Sequence, residues 1–269
     1  MINVSVVGLG YVGSAMSVVI ADAKKNKKNL FNVTGLDLKT PIGLKRIEKL
    51  NNFEFPFKSN DKLINIKLRK IRKNNNLKAK VFNSKSINSS SVILLSINFD
   101  FAKGKTQMLS NFVKFQNCFK NIIKSVRPKS LIIIESTLPP GFIEKKLMPI
   151  FKNELKKRKI KTKSVFLGYS YERVTPGKNY INSIINGLRV YSGINNHSKI
   201  KCKNFLKKII NTQKFPLVEL ENITAAEIAK NMENSYRASN IAFINEWSIL
   251  SEKLNINLNE IINAIKLRP

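Results

Sequence analysis

The residues closest to recognisable chemistry are three glycines near the start of the chain, Gly8, Gly10 and Gly13. They form the pattern G-x-G-x-x-G directly after an apolar run and at the beginning of a helical segment. The first glycine permits a tight turn, the second lets the backbone approach a diphosphate, and the third lets the helix pack on the strand. Free N–H groups at the helix N-terminus favour the negative diphosphate. The motif predicts a dinucleotide site that also includes Tyr11 and Val12.

An acidic residue, Asp37, follows the second apolar run, where a carboxylate can accept hydrogen bonds from the adenosine ribose hydroxyls. A carboxylate in this position repels a 2′-phosphate, so the sequence predicts NAD rather than NADP. Lys39 and Lys45 lie nearby and keep NADP open as an alternative. The other interpretation of these residues is a glycine turn without a ligand and an aspartate that only caps the strand.

Two further segments place polar side chains after apolar runs. The first is Glu135–Gly141, where Ser136 and Thr137 are expected to face cofactor or substrate and Pro-Pro-Gly fixes the exit turn. The second is Gly168–Gly177, where Glu172 is a candidate general base. The plainer alternatives are a rigid turn in the first segment and a surface Glu–Arg pair in the second.

A helical segment near the C-terminus carries Glu227, Lys230 and Asn234 at spacings of three and four, which places them on one face. A lysine and an asparagine on one face could donate hydrogen bonds to a developing oxyanion. The alternative is a solvated Glu–Lys pair on an exposed helix.

The elements that must position these residues alternate between strand and helix, which predicts an α/β fold with a doubly wound parallel sheet. The predicted strands are Asn3–Val7, Phe31–Leu36, Lys80–Phe82, Val92–Ile97, Leu131–Glu135, Ser164–Gly168, Arg189–Ser192 and Phe215–Leu220, and the predicted helices are Tyr11–Lys25, Phe112–Ser125, Glu144–Lys159, Thr224–Leu254 and Leu258–Ile265, with weak helical periodicity around Ile64–Ile71. Sustained helical periodicity from Thr224 predicts a boundary: residues 1–221 form a Rossmann-like domain, and residues 222–269 begin a helical unit.

Composition limits the other possibilities. The chain has 269 residues, 43% of them hydrophobic, so a sizeable core is expected. The net charge of +31 suggests a possible nucleic-acid partner, but the basic residues are dispersed and are not interleaved with aromatic side chains, so no specific nucleic-acid partner is expected.

Histidine and cysteine are too few to suggest a metal site or a disulfide framework. The chain contains one histidine, His197, in a predicted polar loop, and two cysteines, Cys118 and Cys202. Without a long apolar run or an N-terminal signal pattern, we expect a cytoplasmic protein that does not span a membrane.

Taken together, these segments resemble the UDP-glucose/GDP-mannose dehydrogenase family. The pieces that carry the resemblance are Val7-Gly8-Leu9-Gly10-Tyr11-Val12-Gly13, Glu135–Gly141, Tyr169–Gly177 and Ala225-Ala226-Glu227-Ile228-Ala229-Lys230-Asn231 through Asn234, in the order and approximate spacing of the family. The second and third segments look more like the UDP-N-acetylhexosamine branch than the UDP-glucose branch.

The resemblance implies oxidation of the C6 hydroxymethyl group of a UDP-sugar to a uronate, a four-electron reaction that uses two NAD and a cysteine thioester. By position, Lys230 and Asn234 would stabilise the oxyanion at C6, Glu172 would act as a base in thioester hydrolysis, and Thr137 would hold the catalytic water. Gly8, Gly10, Gly13 and Asp37 would bind NAD. A homodimer and a role in polysaccharide biosynthesis are also implied.

Several features depart from the family pattern. The family's nucleophile lies in a Gly-Gly-x-Cys segment beyond Pro269, and neither cysteine of this chain occupies that position. Asn98-Phe99-Asp100 stands where a Pro-Thr-Pro type of loop is usual, and Tyr171 stands where a proline usually precedes the glutamate. We therefore expect a C-terminally truncated or split product that binds NAD but does not complete the oxidation alone.

Two alternatives remain open at this point. A two-electron β-hydroxyacid dehydrogenase similar to the 6-phosphogluconate group also combines a glycine fingerprint with a helical lysine and asparagine, and it needs no cysteine. The Glu-Ser-Thr and Tyr-Glu-Arg segments argue against it. The other alternative is a protein without enzymatic activity that binds nucleotides or nucleic acid, suggested by the net charge.

Overall fold

The computed structural model describes residues 1–97, 104–174 and 177–266, with only the backbone described for residues 104–108. Asn98–Asp100 and the Thr175-Pro176 pair, which belong to the segments discussed above, lie outside the described residues. The chain divides into two compact units, Met1–Glu227 and Ile228–Pro269. The division of the chain into a Rossmann-like domain of residues 1–221 and a helical domain that begins at residue 222 stays a prediction.

The first unit alternates strands and helices along the chain. In order, it contains β1 (Ile2–Val7), α1 (Tyr11–Asp22), β2 (Lys24–Lys25), β3 (Lys28–Asn29), β4 (Phe31–Asp37), α2 (Pro41–Asn51), α3 (Lys62–Asn74), β5 (Leu77–Val81), α4 (Ser84–Ser89), β6 (Val92–Leu95), α5 (Gly104–Ser125), β7 (Leu131–Ile134), a π-helical turn (Ile143–Leu147) that runs into α6 (Met148–Lys157), a 3₁₀ turn (Thr162–Ser164), β8 (Phe166–Tyr169), α7 (Tyr180–Ile185), β9 (Arg189–Gly193), α8 (Asn196–Leu206), β10 (Leu217–Glu219) and the start of α9 (Ile223–Lys253). The strands β2 and β3 form a small antiparallel ribbon.

Among the described residues, eight strands form one sheet in the order β10-β9-β8-β7-β6-β1-β4-β5. The pairs from β8 through β5 are all parallel. The central strands β6 and β7 are buried along their whole length, as expected for a parallel sheet with helices on its faces. The predicted α/β class with a doubly wound, Rossmann-like sheet is confirmed, and the carboxyl ends of the parallel strands share one edge.

The strand β9 departs from the expected all-parallel arrangement, because it pairs with β8 in the antiparallel sense. Its partner on the other side, β10, is parallel to it. Because β9 runs against β8, its first residue, Arg189, lies at the edge where the parallel strands end. This reversal brings the charged side chain of Arg189 to the edge where the parallel strands end, and the sequence pattern did not predict a charged residue of β9 there.

Two parts of the secondary structure also differ from expectation. The lysine-rich stretch after Asp37 forms a complete helix, α2, because Thr40 accepts a hydrogen bond from the Gly43 N–H and Pro41 occupies the first turn. His197 was predicted in a loop, which is wrong: it lies in the first turn of α8, where Asn195 accepts a hydrogen bond from the Ser198 N–H.

The second unit contains most of α9 and the amphipathic helix α10 (Leu258–Ile265). Large apolar side chains along these helices are exposed, including Tyr236, Phe243 and Trp247. No helix among the described residues is both long and apolar enough to cross a bilayer.

Candidate dinucleotide site and active site

The glycine turn between β1 and α1 has the geometry that a dinucleotide-binding loop requires. Gly8 has φ of 93°, and a Cβ there would lie 2.8 Å from the Ser96 carbonyl oxygen. A Cβ on Gly13 would lie 1.8 Å from the carbonyl oxygen of Gly8, so only glycine lets the helix approach the turn this closely.

Gly10 differs from the other two glycines because a Cβ on it would meet nothing within 4 Å. It is the N-cap of α1, and no side chain of the described residues caps this helix end by hydrogen bonding. The N–H groups of Tyr11 and Val12 belong to the first turn, where no intrahelical acceptor exists for them. The open face at Gly10 and these donors fit the diphosphate of a dinucleotide.

Asp37 lies at the end of β4, as predicted, and its carboxylate is held by two contacts. Oδ1 accepts a hydrogen bond from the Leu38 N–H at 2.8 Å, and Oδ2 lies 3.4 Å from Nη1 of Arg46. The Arg46 guanidinium in turn lies over the ring of Phe57, at 5.3 Å from its centroid. Phe57 stacks on Tyr11 with ring centroids 4.0 Å apart. These contacts connect the predicted ribose carboxylate to the residue that follows Gly10.

The tips of β6, β7 and β9 meet in a buried polar cluster. The Glu135 carboxylate accepts a hydrogen bond from the Ser96 hydroxyl at 2.7 Å and forms an ion pair with Arg189 at 3.3 Å. Nη2 of Arg189 also lies 3.4 Å from the sulfur of Met16 in α1. Burial raises the pKa of Glu135, Arg189 and Ser96 oppose that rise, and the nearby charge of Glu172 adds to it.

The two hydroxyl residues after Glu135 differ in their surroundings. Ser136 is buried, and its hydroxyl donates a hydrogen bond to the Ile97 carbonyl oxygen at 2.6 Å. This bond ties the tip of β7 to the end of β6 and leaves only the oxygen lone pairs of Ser136 for a ligand. Thr137 is half-buried. The cofactor contacts predicted for both residues stay predictions.

The segment after β8 carries Glu172, which is half-buried. Its carboxylate accepts a hydrogen bond from the N–H of Val174, and this bond closes a turn within the segment. The guanidinium of Arg173 lies over the ring of Tyr171, 5.7 Å from the centroid. The segment after β8 begins beside the tip of β7, because Ile134 and Tyr169 are paired at the ends of these two strands.

The start of α7, which follows the Glu172 segment in the chain, is hydrogen-bonded to the elements around the glycine turn. The Tyr180 hydroxyl donates to the carbonyl oxygen of Tyr11 at 2.6 Å. The buried carboxylate of Asp61 caps α3 by accepting from Leu63 N–H, and its other oxygen accepts from Ile181 N–H at 2.8 Å. The start of α7 is therefore fixed to the N-terminus of α1 and to α3.

Glu227 has a structural role that its spacing did not reveal. It is fully buried, and its carboxylate accepts hydrogen bonds from the N–H groups of Gly141 and Ile143, at 2.7 and 2.9 Å. It therefore holds the turn after Pro139-Pro140 and the start of the following helical turn. Burial raises the pKa of Glu227 to about 7, although both backbone donors act to lower it. The alternative interpretation of Glu227, as part of a solvated Glu–Lys pair on an exposed helix, is therefore wrong.

Lys230 and Asn234 lie on α9 within the second unit, four residues apart on one helical face. The Lys230 side chain is buried, whereas Asn234 is exposed. Their proposed convergence with Glu172 and Thr137 stays a prediction.

Neither cysteine has the environment of a nucleophile. Burial raises the pKa of the Cys118 thiol to about 12, and it raises the pKa of Cys202 further. A thiol with a raised pKa carries little thiolate at neutral pH.

Sequence reasoning missed several residues of this edge, above all Arg46, Phe57, Arg189 and Tyr180. One signal was present for Arg189, since a charged residue begins an otherwise apolar strand segment. For Arg46 and Phe57 no local pattern exists, because Arg46 reaches Asp37 from within α2 and Phe57 reaches Tyr11 from the loop between α2 and α3.

Comparison with known proteins agrees with this geometry. The model of the NAD-binding domain of the UDP-glucose/GDP-mannose dehydrogenase family matches residues 2–213, and the model of that family's central domain matches residues 224–269. The chain belongs to the UDP-glucose/GDP-mannose dehydrogenase family. Its first unit contains the NAD-binding domain, with NAD as the cofactor.

Individual relatives give the same result. The chain is 26% identical, over 267 residues, to the UDP-N-acetyl-D-mannosamine dehydrogenase of Methanocaldococcus jannaschii, covering 99% of this chain and 56% of that protein. Protein CapL of Staphylococcus aureus is 27% identical, with 97% of this chain and 55% of CapL covered. The solved UDP-D-ManNAc dehydrogenase of Pyrococcus horikoshii shares the fold, with a TM-score of 0.80 at 21% identity over 100% of this chain and 58% of that one. The chain spans about half the length of these relatives.

Proposed function

We propose that this chain is the cofactor-binding portion of an enzyme that oxidises the C6 hydroxymethyl group of a UDP-sugar to a uronate with two NAD per substrate. The observation that carries the proposal lies within the NAD-binding unit. The segments with Thr137 and Glu172 follow β7 and β8, at the sheet edge where the glycine turn follows β1. Ligands of doubly wound sheets bind at this edge.

The roles of the individual residues follow from their chemistry. NAD, when bound, would supply the hydride acceptor, and the protein side chains would orient the sugar and move protons. Glu172 is the proposed general base for hydrolysis of the thioester that the family resemblance implies, and Thr137 holds the water that attacks it. Lys230 and Asn234 donate hydrogen bonds to the oxygen at C6 as negative charge develops there. Gly8, Gly10, Gly13, Tyr11 and Val12 receive the diphosphate, Asp37 receives the ribose hydroxyls, and Ser136 and Thr137 border the cofactor.

For the substrate we propose a UDP-N-acetylhexosamine, because relatives aligned over nearly the whole chain are named UDP-N-acetyl-D-mannosamine dehydrogenases. We further propose that the enzyme acts in the cytoplasm, as a homodimer, in polysaccharide biosynthesis. The exposed apolar side chains of α9 support the homodimer.

A binding and turnover experiment on residues 1–269 tests the proposal. NAD affinity is measured by calorimetric titration, and NADH formation is followed with UDP-N-acetylmannosamine, UDP-N-acetylglucosamine, UDP-glucose and a set of 3-hydroxy acids. We expect NAD binding without steady NADH formation from any UDP-sugar, because these residues contain no Gly-Gly-x-Cys segment. Steady NADH formation from a UDP-sugar would refute the requirement for the cysteine thiol of such a segment.

The same panel separates the proposal from the β-hydroxyacid dehydrogenase alternative. That chemistry needs no thiol, so steady formation of one NADH per 3-hydroxy acid would favour the alternative. A second, independent observation is the reading frame after the codon for Pro269. A Gly-Gly-x-Cys segment in that frame would support the four-electron reaction.

A further inference from the structure

A cluster of exposed basic side chains lies where the parallel strands begin, at the edge of the sheet opposite the glycine turn. The helices α5 and α6 both end at this edge, and the chain then enters β7 and β8. Six exposed residues from the last turn of α6 and from these two connections form a surface that we call the basic edge: Arg127, Lys129, Lys156, Lys159, Lys161 and Lys163.

Hydrogen bonds hold the two connections side by side. Nη1 of Arg158, just after α6, donates to the carbonyl oxygens of Ile123 and Val126 at the end of α5, both at 2.6 Å. The Lys129 N–H donates to the Ser164 carbonyl oxygen at 2.6 Å. The basic side chains of both connections therefore belong to one surface.

Helix capping does not account for these charges. A cation near the C-terminus of a helix is favoured by the helix dipole. At the end of α5, however, the Arg158 guanidinium already contacts the free carbonyl groups, and Lys129, Lys161 and Lys163 lie outside both α-helices. Like charges at this density repel one another, so a partner of opposite charge would stabilise them.

The basic edge has few carboxylates to balance it. The segments 121–134 and 155–171 contain neither aspartate nor glutamate. Glu154, which directly precedes the second segment, is buried and accepts a hydrogen bond from Nζ of Lys157 at 3.2 Å. This carboxylate already has a cation, so the positive charge of the basic edge stays largely uncompensated.

A second basic group lies at the same edge of the sheet. The β2–β3 ribbon joins the end of α1 to the start of β4 and exposes four lysines, Lys24, Lys25, Lys27 and Lys28. The neighbouring acidic residue in the chain, Asp22, is paired with Lys67. In the sheet, β6 and β1 lie between this ribbon and the basic edge, so an extended anionic surface could contact both groups.

The chemistry of the basic edge fits a lipid surface better than a nucleic acid. Five of its six residues are lysines, which are strongly hydrated point charges. Proteins that bind nucleic acids also use arginine forks, helix N-termini and aromatic platforms. Here α5 and α6 present their carbonyl ends, and the segments 121–134 and 155–165 contain no aromatic residue. Attraction to anionic lipid head groups requires only a high density of positive charge.

We propose that the basic edge and the β2–β3 ribbon dock this protein on the surface of an anionic lipid bilayer. The interaction is peripheral and electrostatic, without insertion of a helix. The opposite edge of the sheet, with the glycine turn, then faces away from the lipid and stays open to nucleotides. The proposal is independent of the function proposed above, because it concerns the other edge of the sheet.

Co-sedimentation of residues 1–269 with lipid vesicles tests this docking surface. The vesicles consist of phosphatidylcholine alone or of phosphatidylcholine with about 30% phosphatidylglycerol. We expect binding to the anionic vesicles only, with an affinity that falls as the salt concentration rises. The triple variant Lys156→Gln/Lys161→Gln/Lys163→Gln should bind roughly a hundredfold more weakly, because each basic residue near the lipid contributes a factor of about five.

Lys62→Gln/Lys80→Gln/Lys85→Gln is the matched control, because it removes three exposed lysines near the opposite edge of the sheet. It should weaken vesicle binding by less than about threefold. Thermal unfolding shows whether each variant folds, and Lys161→Gln/Lys163→Gln gives the same comparison with a smaller loss if the first triple variant does not. Absence of binding to the anionic vesicles, or equal losses in the two triple variants, would overturn the proposal, also where the basic edge binds double-stranded DNA instead.

Discussion

The guanidinium of Arg189 lies 3.3 Å from the carboxylate of Glu135, and both side chains are almost completely buried. The pair connects the tip of β7 to the start of β9, 54 residues later in the chain. Through Ser96 the same carboxylate reaches the end of β6, whose backbone packs against Gly8. The ion pair therefore fixes the relative positions of the strand ends that surround the glycine turn.

Breaking this ion pair should be strongly destabilising. Arg189→Met leaves a buried carboxylate without its cation, so we expect the free energy of unfolding to fall by about 3–5 kcal/mol. The double variant Glu135→Gln/Arg189→Met removes both charges and should recover much of that loss. Urea unfolding followed by circular dichroism measures the difference.

A partly exposed ion pair in the same unit, Lys199–Glu219, provides the control. Lys199→Met should change stability by less than about 1 kcal/mol. Equal losses from Lys199→Met and Arg189→Met, or a double variant less stable than Arg189→Met, would contradict the importance of the buried pair.

Alanine substitutions at two glycines of the turn should have opposite consequences. Gly10→Ala places a methyl group in open space, where a dinucleotide diphosphate is expected, so NAD affinity should fall at least tenfold while stability changes by less than about 1 kcal/mol. Gly13→Ala forces a Cβ to within 1.8 Å of the Gly8 carbonyl oxygen, so the fold itself should be destabilised. Thermal unfolding and calorimetric NAD titration separate the two effects. Equal melting temperatures for the two variants would be inconsistent with this prediction.

Glu227 should make stability depend on pH. Its folded-state pKa is raised to about 7, above the ordinary value of 4.5, so the folded state favours the protonated acid. The contribution to stability is fully present below pH 4.5 and is lost as the pH rises through about 7. Glu227→Gln cannot titrate and should reduce the loss of stability between acidic and neutral pH.

Urea unfolding of both proteins at several pH values gives the comparison. The control variant Glu227→Ala leaves the N–H groups of Gly141 and Ile143 without their acceptor, so it should lose about 1–3 kcal/mol per unpaired group. Parallel stability–pH curves for wild type and Glu227→Gln would show that another group titrates.

The hydroxyl of Tyr180 should contribute measurably to the NAD-binding unit. Tyr180→Phe removes the hydrogen bond to the Tyr11 carbonyl oxygen but keeps the ring beside Phe55, so unfolding should require about 1 kcal/mol less free energy. NAD affinity should fall as well, because the start of α1 loses a contact. Tyr236→Phe, at a side chain that is 74% exposed, should change neither quantity. An unchanged Tyr180→Phe variant would argue against this coupling.

Much of this architecture could be predicted from the sequence, because local patterns determine it. Buried strands such as β6 and β7 are continuous apolar runs, and Gly8, Gly10 and Gly13 have a spacing that only one kind of turn explains. The direction of β9 could not be predicted, since a short apolar strand looks the same whichever way it runs. The helix α2 was missed although Thr40-Pro41 is a helix start signal, because lysine and asparagine obscured the apolar periodicity that follows.

The polar contacts of the site were harder to predict, because their partners are distant in the chain. Glu227 binds backbone groups 84 and 86 residues before it, so helical spacing alone suggested a different role. Arg46 reaches Asp37 only because of the path that the chain takes after β4. Such pairings are determined by tertiary packing and leave no periodic signal in the sequence.

The anchoring of the segment around Glu172 at both ends has an entropic consequence. At one end the Ser170 N–H is bound to the Ile134 carbonyl oxygen, and at the other the Ile181 N–H is bound to Asp61. Glu172 lies two residues after the first of these bonds, and a side chain separated from a fixed point by few residues has less conformational freedom than one separated by many. A ligand that immobilises Glu172 therefore removes little freedom, and more of the interaction energy remains as affinity.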